Sequence, residues 1–277
     1  MTRSPLRPSP STLALAALGG AANVAAVLAL FARADYPALE SPPELAVLAA
    51  TGFALGFVSL FVSAHTRLLT PAVGFVAVLL GTVYTELTTP MPEWGELGGY
   101  VIVEGPTHVW SYANSWYIWL SLLLIAGLVE FSVRRGYGLG DRRLRNLPSM
   151  PLSHTAVLGT VTVGAGFFGI GTTRLVLRAG INPRVAAAVV FVGATAVAAV
   201  PLAALLARGL LVPTVLFALL VPYFLTIEVF TATDSPVHIL LFGPYAIGLL
   251  IVAAFENWLR SRLRGWNGGR FADHQSA

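Results

Sequence analysis

Four titratable side chains stand out because each lies at the edge of an apolar run and has a counterpart in the other half of the chain. Glu86 and Glu228 come close to the ends of two such runs, and His108 and His238 stand in the Pro-x-His sequences that follow. A carboxylate at the border of hydrocarbon is costly without water, a cation or a donor, so it is a functional candidate. Two imidazoles and two carboxylates could relay protons or hold a metal ion, although no pair has the spacing of a helical metal site. We expect these four residues to lie near a binding or transport site.

Two further acids are each followed four residues later by arginine. Glu130 precedes Arg134, and Glu256 precedes Arg260. That spacing places both side chains on one helix face with the favourable order of charges. We predict two structural ion pairs at the membrane border.

The segment Gly138–Asp141 reads Gly-Leu-Gly-Asp. It resembles the Gly-x-Gly-Asp motif of intramembrane aspartyl proteases, and the resemblance implies that Asp141 activates water. That chemistry needs a second aspartate at the membrane border, because the two carboxylates share one proton. Asp35 and Asp234 are predicted to lie on the outer side of the membrane, opposite Asp141, and Asp273 lies in a polar tail. We therefore predict a linker here and no catalytic residue, so an enzyme is the third hypothesis.

The composition is that of an integral membrane protein. Hydrophobic residues form 56% of the 277 residues, charged residues form 11%, and the mean hydropathy is +0.76. This leaves too little polar surface to cover a water-soluble globule of this size. Cysteine and lysine are absent, which excludes thiolate metal sites, disulfides and Schiff-base lysines. Arginines are scattered between apolar runs, so we predict neither nucleic-acid binding nor a cofactor.

Eight apolar runs have about the length that crosses a bilayer as a helix. They cover Ser11–Ala32, Glu44–Ala64, Leu68–Leu87, Asn114–Val133, Leu152–Thr172, Val185–Ala207, Leu210–Thr231 and Val237–Trp258. The chain is therefore predicted to be an all-α, multi-pass protein.

The arginines predict the orientation. With the N-terminus in the cytoplasm, all but four of the 17 basic residues fall inside, as the positive-inside rule favours. We predict a cell-membrane protein with both termini cytoplasmic. Three of the four exceptions, Arg174, Arg178 and Arg184, share one outer loop. A seven-helix arrangement with a re-entrant fifth segment is therefore the alternative.

The second half of the chain repeats the rare residues of the first in the same order. The matched pairs are Arg67 and Arg208, Glu86 and Glu228, His108 and His238, Glu130 and Glu256, and Arg134 and Arg260. We predict four-helix repeats at 1–136 and 151–265, an arginine-rich cytoplasmic linker at 137–150 and a polar tail at 266–277. Four helices per half return the chain to its starting side, which predicts a pseudo-two-fold axis along the membrane normal.

Two functions fit this architecture. The first is a small transporter or channel-like protein with a path between the repeats, because such repeats are common among transporters. The second is a non-transporting membrane subunit or scaffold whose cytoplasmic arginines dock an acidic partner or an anionic lipid. Besides the bilayer itself, an anionic lipid or a partner subunit is thus the expected partner.

Overall fold

The computed structural model describes residues 7–178, 184–230, 237–264 and 269–271. In chain order its helices are α1 (Pro10–Arg33), α2 (Pro42–Thr66), α3 (Thr70–Thr88), α4 (His108–Asn114), α5 (Trp116–Gly136), α6 (His154–Arg178), α7 (Arg184–Arg208), α8 (Val212–Phe230), α9 (Val237–Leu240) and α10 (Phe242–Arg264). Short 3₁₀ turns lie at Pro37–Glu40, Asp141–Arg143 and Gly269–Phe271.

Seven helices of the described ranges are long and apolar enough to cross a membrane. The prediction of an all-helical, multi-pass membrane protein is confirmed at that level. The described apolar part of α8, Val212–Thr226, is shorter than the other seven, so the count of eight crossings stays a prediction. The fifth predicted segment corresponds to α6, whose apolar part His154–Leu177 is long enough to cross.

The chain divides into two compact units, residues 1–123 and 124–277. In the first unit α1 packs along α2, and α3 packs on α2. The α1 and α2 backbones come close at Gly56, where a Cβ would lie 2.5 Å from the carbonyl oxygen of Gly19. Backbones can come this near only where side chains are missing. Phe31, Leu55 and Phe75 are among the side chains buried in this unit.

Helix starts in the first unit follow their local sequence. Ser9 Oγ accepts a hydrogen bond of 3.2 Å from the backbone N–H of Thr12 at the start of α1, as an N-cap serine does. Proline stands in the first turn of α1, α2 and α3, where its missing N–H would have no helical partner. The sequence therefore marks these three starts well.

The connection between α3 and α4 contains a β-hairpin that the sequence pattern did not predict. Strands β1 (Glu93–Leu97) and β2 (Tyr100–Glu104) pair antiparallel, with Leu97 opposite Tyr100. Gly98 and Gly99 form the turn, both with positive φ, as two-residue hairpins require. The Leu-Gly-Gly-Tyr sequence was the available signal, but the aromatic residues around it also fit an interfacial belt.

In the second unit α7 is the central helix, in contact with α6, α8 and α10. Its side chains Ala194, Val197 and Leu205 are fully buried. Pro201 lies inside α7 and frees the carbonyl groups near it.

Two predicted spans are interrupted near their first turn. The predicted fourth span began at Asn114, but α4 ends there and α5 starts at Trp116. The hydroxyl of the intervening Ser115 donates to the carbonyl of Ser111 at 2.5 Å, which satisfies the end of α4 locally. The last span is also broken, between α9 and α10 at Leu241. The duplication of the two halves stays a prediction.

Candidate functional site

Glu86 lies in the last turn of α3 and is only 6% exposed. Its Oε2 accepts a 2.9 Å hydrogen bond from the backbone N–H of Val109, and its Oε1 accepts one of 3.2 Å from the phenol of Tyr36. The Arg33 guanidinium donates to the backbone carbonyl of Glu86, at 3.1 Å, rather than to its carboxylate. The carboxylate thus joins the end of α3 to the loop after α1 and to the first turn of α4.

The start of α4 explains why a carboxylate is favourable at the position of Glu86. The residue before this helix, Thr107, makes no side-chain capping bond. The first N–H groups of a helix have no partner inside it and carry partial positive charge, so a carboxylate is favourable there. Glu86 supplies from a distance the cap that the local sequence lacks.

Tyr36, which donates to this carboxylate, belongs to an aromatic cluster with Phe31, Trp94 and Trp110. Tyr36 stacks on Phe31 with ring centroids 4.4 Å apart and meets Trp94 edge-on at 5.0 Å. The Trp94 indole donates to the carbonyl of Ala34 at 2.8 Å, which fastens the hairpin to the end of α1. Burial raises the pKa of Tyr36, and the negative charge of Glu86 raises it further.

Two of the four predicted site residues, Glu86 and His108, lie in the first unit and His238 lies in the second, so the four-residue site stays a prediction. His108 begins α4 and is half-buried. His238 lies in α9, with its ring stacked 6.0 Å from that of Phe224. Glu228 belongs to α8, but its side chain lies outside the described residues. In the described ranges no group of three or more histidines and acids is placed to hold a metal ion.

Glu256 in α10 is a second buried carboxylate, also 6% exposed. It accepts hydrogen bonds from the backbone N–H groups of Leu211, at 3.2 Å, and Val212, at 2.9 Å. The Arg260 guanidinium lies 2.5 Å from its Oε1. Glu256 therefore caps the start of α8 and is also part of the ion pair expected from its sequence spacing. Sequence reasoning missed the capping role, although the Gly-Leu-Leu-Val-Pro lead into α8 offers no serine, threonine or aspartate.

Arg260 connects this cap to the end of α5. It donates to the hydroxyl of Tyr137 at 3.1 Å and to the carbonyl of Gly209 at 3.3 Å, and Tyr137 also donates to that carbonyl. The ring of Phe271 packs edge-on against Tyr137 with centroids 5.3 Å apart, over Gly136 and Gly209, where a Cβ would overlap it. The ends of α5, α7 and α10 therefore meet at one end of the second unit.

We call this region the arginine end. The arginines of this region whose side chains the structure describes are Arg134, Arg135, Arg142, Arg143, Arg145, Arg208, Arg260, Arg262 and Arg270. Glu130 pairs with Arg134 at 2.7 Å, and Asp141 pairs with Arg135 at 2.6 Å. Asp141 of the Gly-Leu-Gly-Asp sequence is thus the partner of an arginine six residues before it.

Most other buried polar groups bond within their own helix. The hydroxyls of Ser59, Thr82, Ser121, Ser132 and Thr172 each donate to a backbone carbonyl three or four residues earlier. Asn23 and Thr214 instead bond across helices. The Asn23 amide donates to the carbonyl of Gly52 at 2.8 Å and accepts from the Tyr112 hydroxyl at 2.7 Å, and the Thr214 hydroxyl donates to the carbonyl of Pro201 at 3.4 Å. These bonds satisfy the buried polar groups named here, whereas the hydroxyl oxygen of Thr195 in α7 is buried without a hydrogen-bond partner among the described residues.

Comparison of the chain with protein families, characterised proteins and solved structures finds no match.

Proposed function

We propose that this chain is a non-transporting membrane protein whose arginine end docks anionic groups at the membrane surface. One observation carries the proposal. The acids Glu130, Asp141 and Glu256 are each already paired with an arginine of their own. Three further arginines are exposed in the segment that follows Asp141, namely Arg142, Arg143 and Arg145. The arginine end therefore presents positive charge at its surface.

The ligand chemistry follows from the guanidinium group. Arginine binds phosphate and carboxylate through two parallel hydrogen bonds, with geometry that lysine does not provide. Each arginine close to an anionic membrane surface contributes about 1 kcal/mol of attraction. The candidates are the headgroup of an anionic lipid and an acidic segment of a partner protein.

The interiors of the two units support a role without transport. A solute path needs polar groups that remain available to the solute, but Glu86 and Glu256 hold helix starts, and the buried hydroxyls named above bond within their helices. Phe31 and Leu55 in one unit, and Phe168 and Leu205 in the other, fill the space between helices.

The test measures lipid retained by the purified full chain from nanodiscs of mixed phosphatidylglycerol and phosphatidylcholine. We expect a preference for phosphatidylglycerol that weakens with salt. The triple variant Arg142→Gln, Arg143→Gln, Arg145→Gln should lose this preference by about a hundredfold, the product of three losses of about 1 kcal/mol each. The matched Arg→Lys triple keeps the charge and should retain most of it.

A second arm adds a poly-glutamate peptide to the same protein. Peptide binding without lipid preference would identify an acidic partner as the ligand. If neither the anionic lipid nor the peptide is preferred by the unmodified chain, the docking function is wrong.

Transport remains the second candidate, and buried Glu86 is the observation that favours it. Glu86 is enclosed by α3, the loop after α1 and the first turn of α4. A solute could reach its carboxylate if those segments moved apart. Thr82 lies one turn before Glu86 on the buried face of α3 and is 3% exposed. Because the chain has no cysteine, Thr82→Cys tests this with a hydrophilic thiol reagent, and Leu97→Cys on the exposed hairpin gives the positive control. Rapid reaction of the thiol introduced by Thr82→Cys would support a water-filled path, and no reaction would argue against it.

A further inference from the structure

A long groove lies on the surface of the second unit between α7 and α10. Two adjoining cavities of ≈ 570 Å³ each form it, and they share Val200 and Leu250. Alanine, valine and glycine supply most of the wall, including Val192, Gly193 and Ala204. Val192 is 64% exposed and Leu250 is 58% exposed, so the groove is open along its length.

Polar side chains lie at only one end of the groove's lining. These are Arg208, the last residue of α7, and Asn257 of α10. Beside Asn257, the ring of Trp258 is half exposed, with the guanidinium of Arg262 5.9 Å from its centroid. Tryptophan and arginine side chains of this kind mark the level of lipid headgroups. This end of the groove belongs to the arginine end.

The length of the polar-ended cavity matches one leaflet of a bilayer. Its lining on α7 extends from Ala199 to Arg208, which is about 14 Å of helix at 1.5 Å per residue. Half of a hydrocarbon core of roughly 30 Å is about 15 Å. A lipid with its headgroup at Arg208 would therefore fill this cavity with one chain.

We propose that the groove between α7 and α10 binds an acyl chain of an anionic phospholipid, with the lipid phosphate at Arg208 and Asn257. The apolar wall of small side chains offers contact along a flexible hydrocarbon chain, and burial of each methylene is favourable. The guanidinium and the amide offer hydrogen-bond donors to phosphate oxygens. The inference rests on the proposed docking function and names one lipid site within it.

The first test uses the unmodified full chain in nanodiscs that contain phosphatidylglycerol with a photoreactive diazirine on its acyl chain. Mass spectrometry of the crosslinked peptides should place adducts on 199–208 and 250–257. Adducts spread evenly over all lipid-facing helices, or absent from these two segments, would overturn the proposal. No substitution is needed, so the result does not depend on a variant that folds.

The second test compares Ala204→Phe, which fills the groove, with Ala25→Phe, which adds the same ring to an exposed position on α1. Retained phosphatidylglycerol is measured by native mass spectrometry. Ala204→Phe should weaken retention about tenfold, as expected when roughly two methylenes lose their buried contact. Arg208→Gln should weaken it about fivefold, and Ala25→Phe should leave it unchanged.

Three outcomes separate this site from the docking function and from self-association. If Ala204→Phe has no effect while the Arg142, Arg143 and Arg145 triple variant abolishes lipid preference, docking stands and the groove site is wrong. If the unmodified chain retains no anionic lipid, both are wrong. If Ala204→Phe converts a dimer into a monomer and lipid retention is unchanged, the groove is occupied by a second copy of the chain and the lipid site is wrong.

Discussion

Glu86 and Glu256 show how a carboxylate is accommodated in an apolar helix bundle. Each accepts a backbone N–H of a helix start that has no capping side chain of its own. The negative charge meets the partial positive charge of that helix terminus, which offsets the cost of removing it from water. Tyr36 and Arg260 supply the remaining donors.

The phenol of Tyr36 makes stability depend on pH. Its pKa is raised above the ordinary 10.0 because it is buried and lies beside the Glu86 carboxylate. Above pH 10 the unfolded chain releases this proton while the folded chain keeps it, so the folded state loses stability as the pH rises. One such proton changes the free energy of unfolding by about 1.4 kcal/mol per pH unit.

In Tyr36→Phe the free energy of unfolding should therefore fall less steeply between pH 10 and 12. The slope should be smaller by about 1.4 kcal/mol per pH unit, the contribution of one proton. The measurement is the free energy of unfolding in detergent, followed by tryptophan fluorescence at each pH. Below pH 9 the curves of the variant and the unmodified chain should run parallel, which is the internal control. Parallel curves above pH 10 as well would show that Tyr36 titrates normally.

The α1–α2 pair depends on the absence of a side chain at one point of contact. A methyl group at Gly56 would approach the Gly19 carbonyl carbon to 2.8 Å, so the two helices would have to separate. We expect Gly56→Ala to lower the free energy of unfolding by about 1–3 kcal/mol, as overpacking does. Gly81→Ala is the matched control, because nothing lies within 4 Å of its Cβ position, and alanine there should be neutral or stabilising by up to about 1 kcal/mol. Equal effects of both changes would contradict the close contact.

The start of α8 depends on a side chain far along the chain. Glu256→Ala would remove the acceptor of two N–H groups and leave Arg260 without its carboxylate. Loss of one partner of a buried pair costs about 3 kcal/mol or more, and we expect that loss in the free energy of unfolding. Asp141→Asn, which alters the more exposed pair with Arg135, should cost less than about 1 kcal/mol. A small effect at Glu256 would mean that α8 begins without its help.

The topology of the whole chain can be tested with single cysteines, since the sequence has none. We expect an impermeant maleimide to label Leu97→Cys, on the exposed hairpin, in intact cells. Ser149→Cys, exposed in the arginine-rich segment, should react only after the membrane is opened. Reaction of both in intact cells would contradict the predicted orientation.

Ser235→Cys, in the predicted outer loop beyond α8, tests the number of crossings. Labelling in intact cells would support a crossing by α8 and the count of eight. Labelling only after the membrane is opened would favour seven.

The sequence by itself determined the membrane class, because a hydrocarbon layer requires apolar helical runs of a set length. It also indicated Glu130 with Arg134 and Glu256 with Arg260, since partners four residues apart on a helix are neighbours whatever the fold. Only the tertiary structure decided what Glu86 and Glu256 bind. Their N–H donors lie 23 and 44–45 residues away in the chain, and no local pattern records a contact made by packing. The break before α5, the hairpin fastened by Trp94 and the groove between α7 and α10 likewise depend on how helices meet, which periodicity alone does not specify.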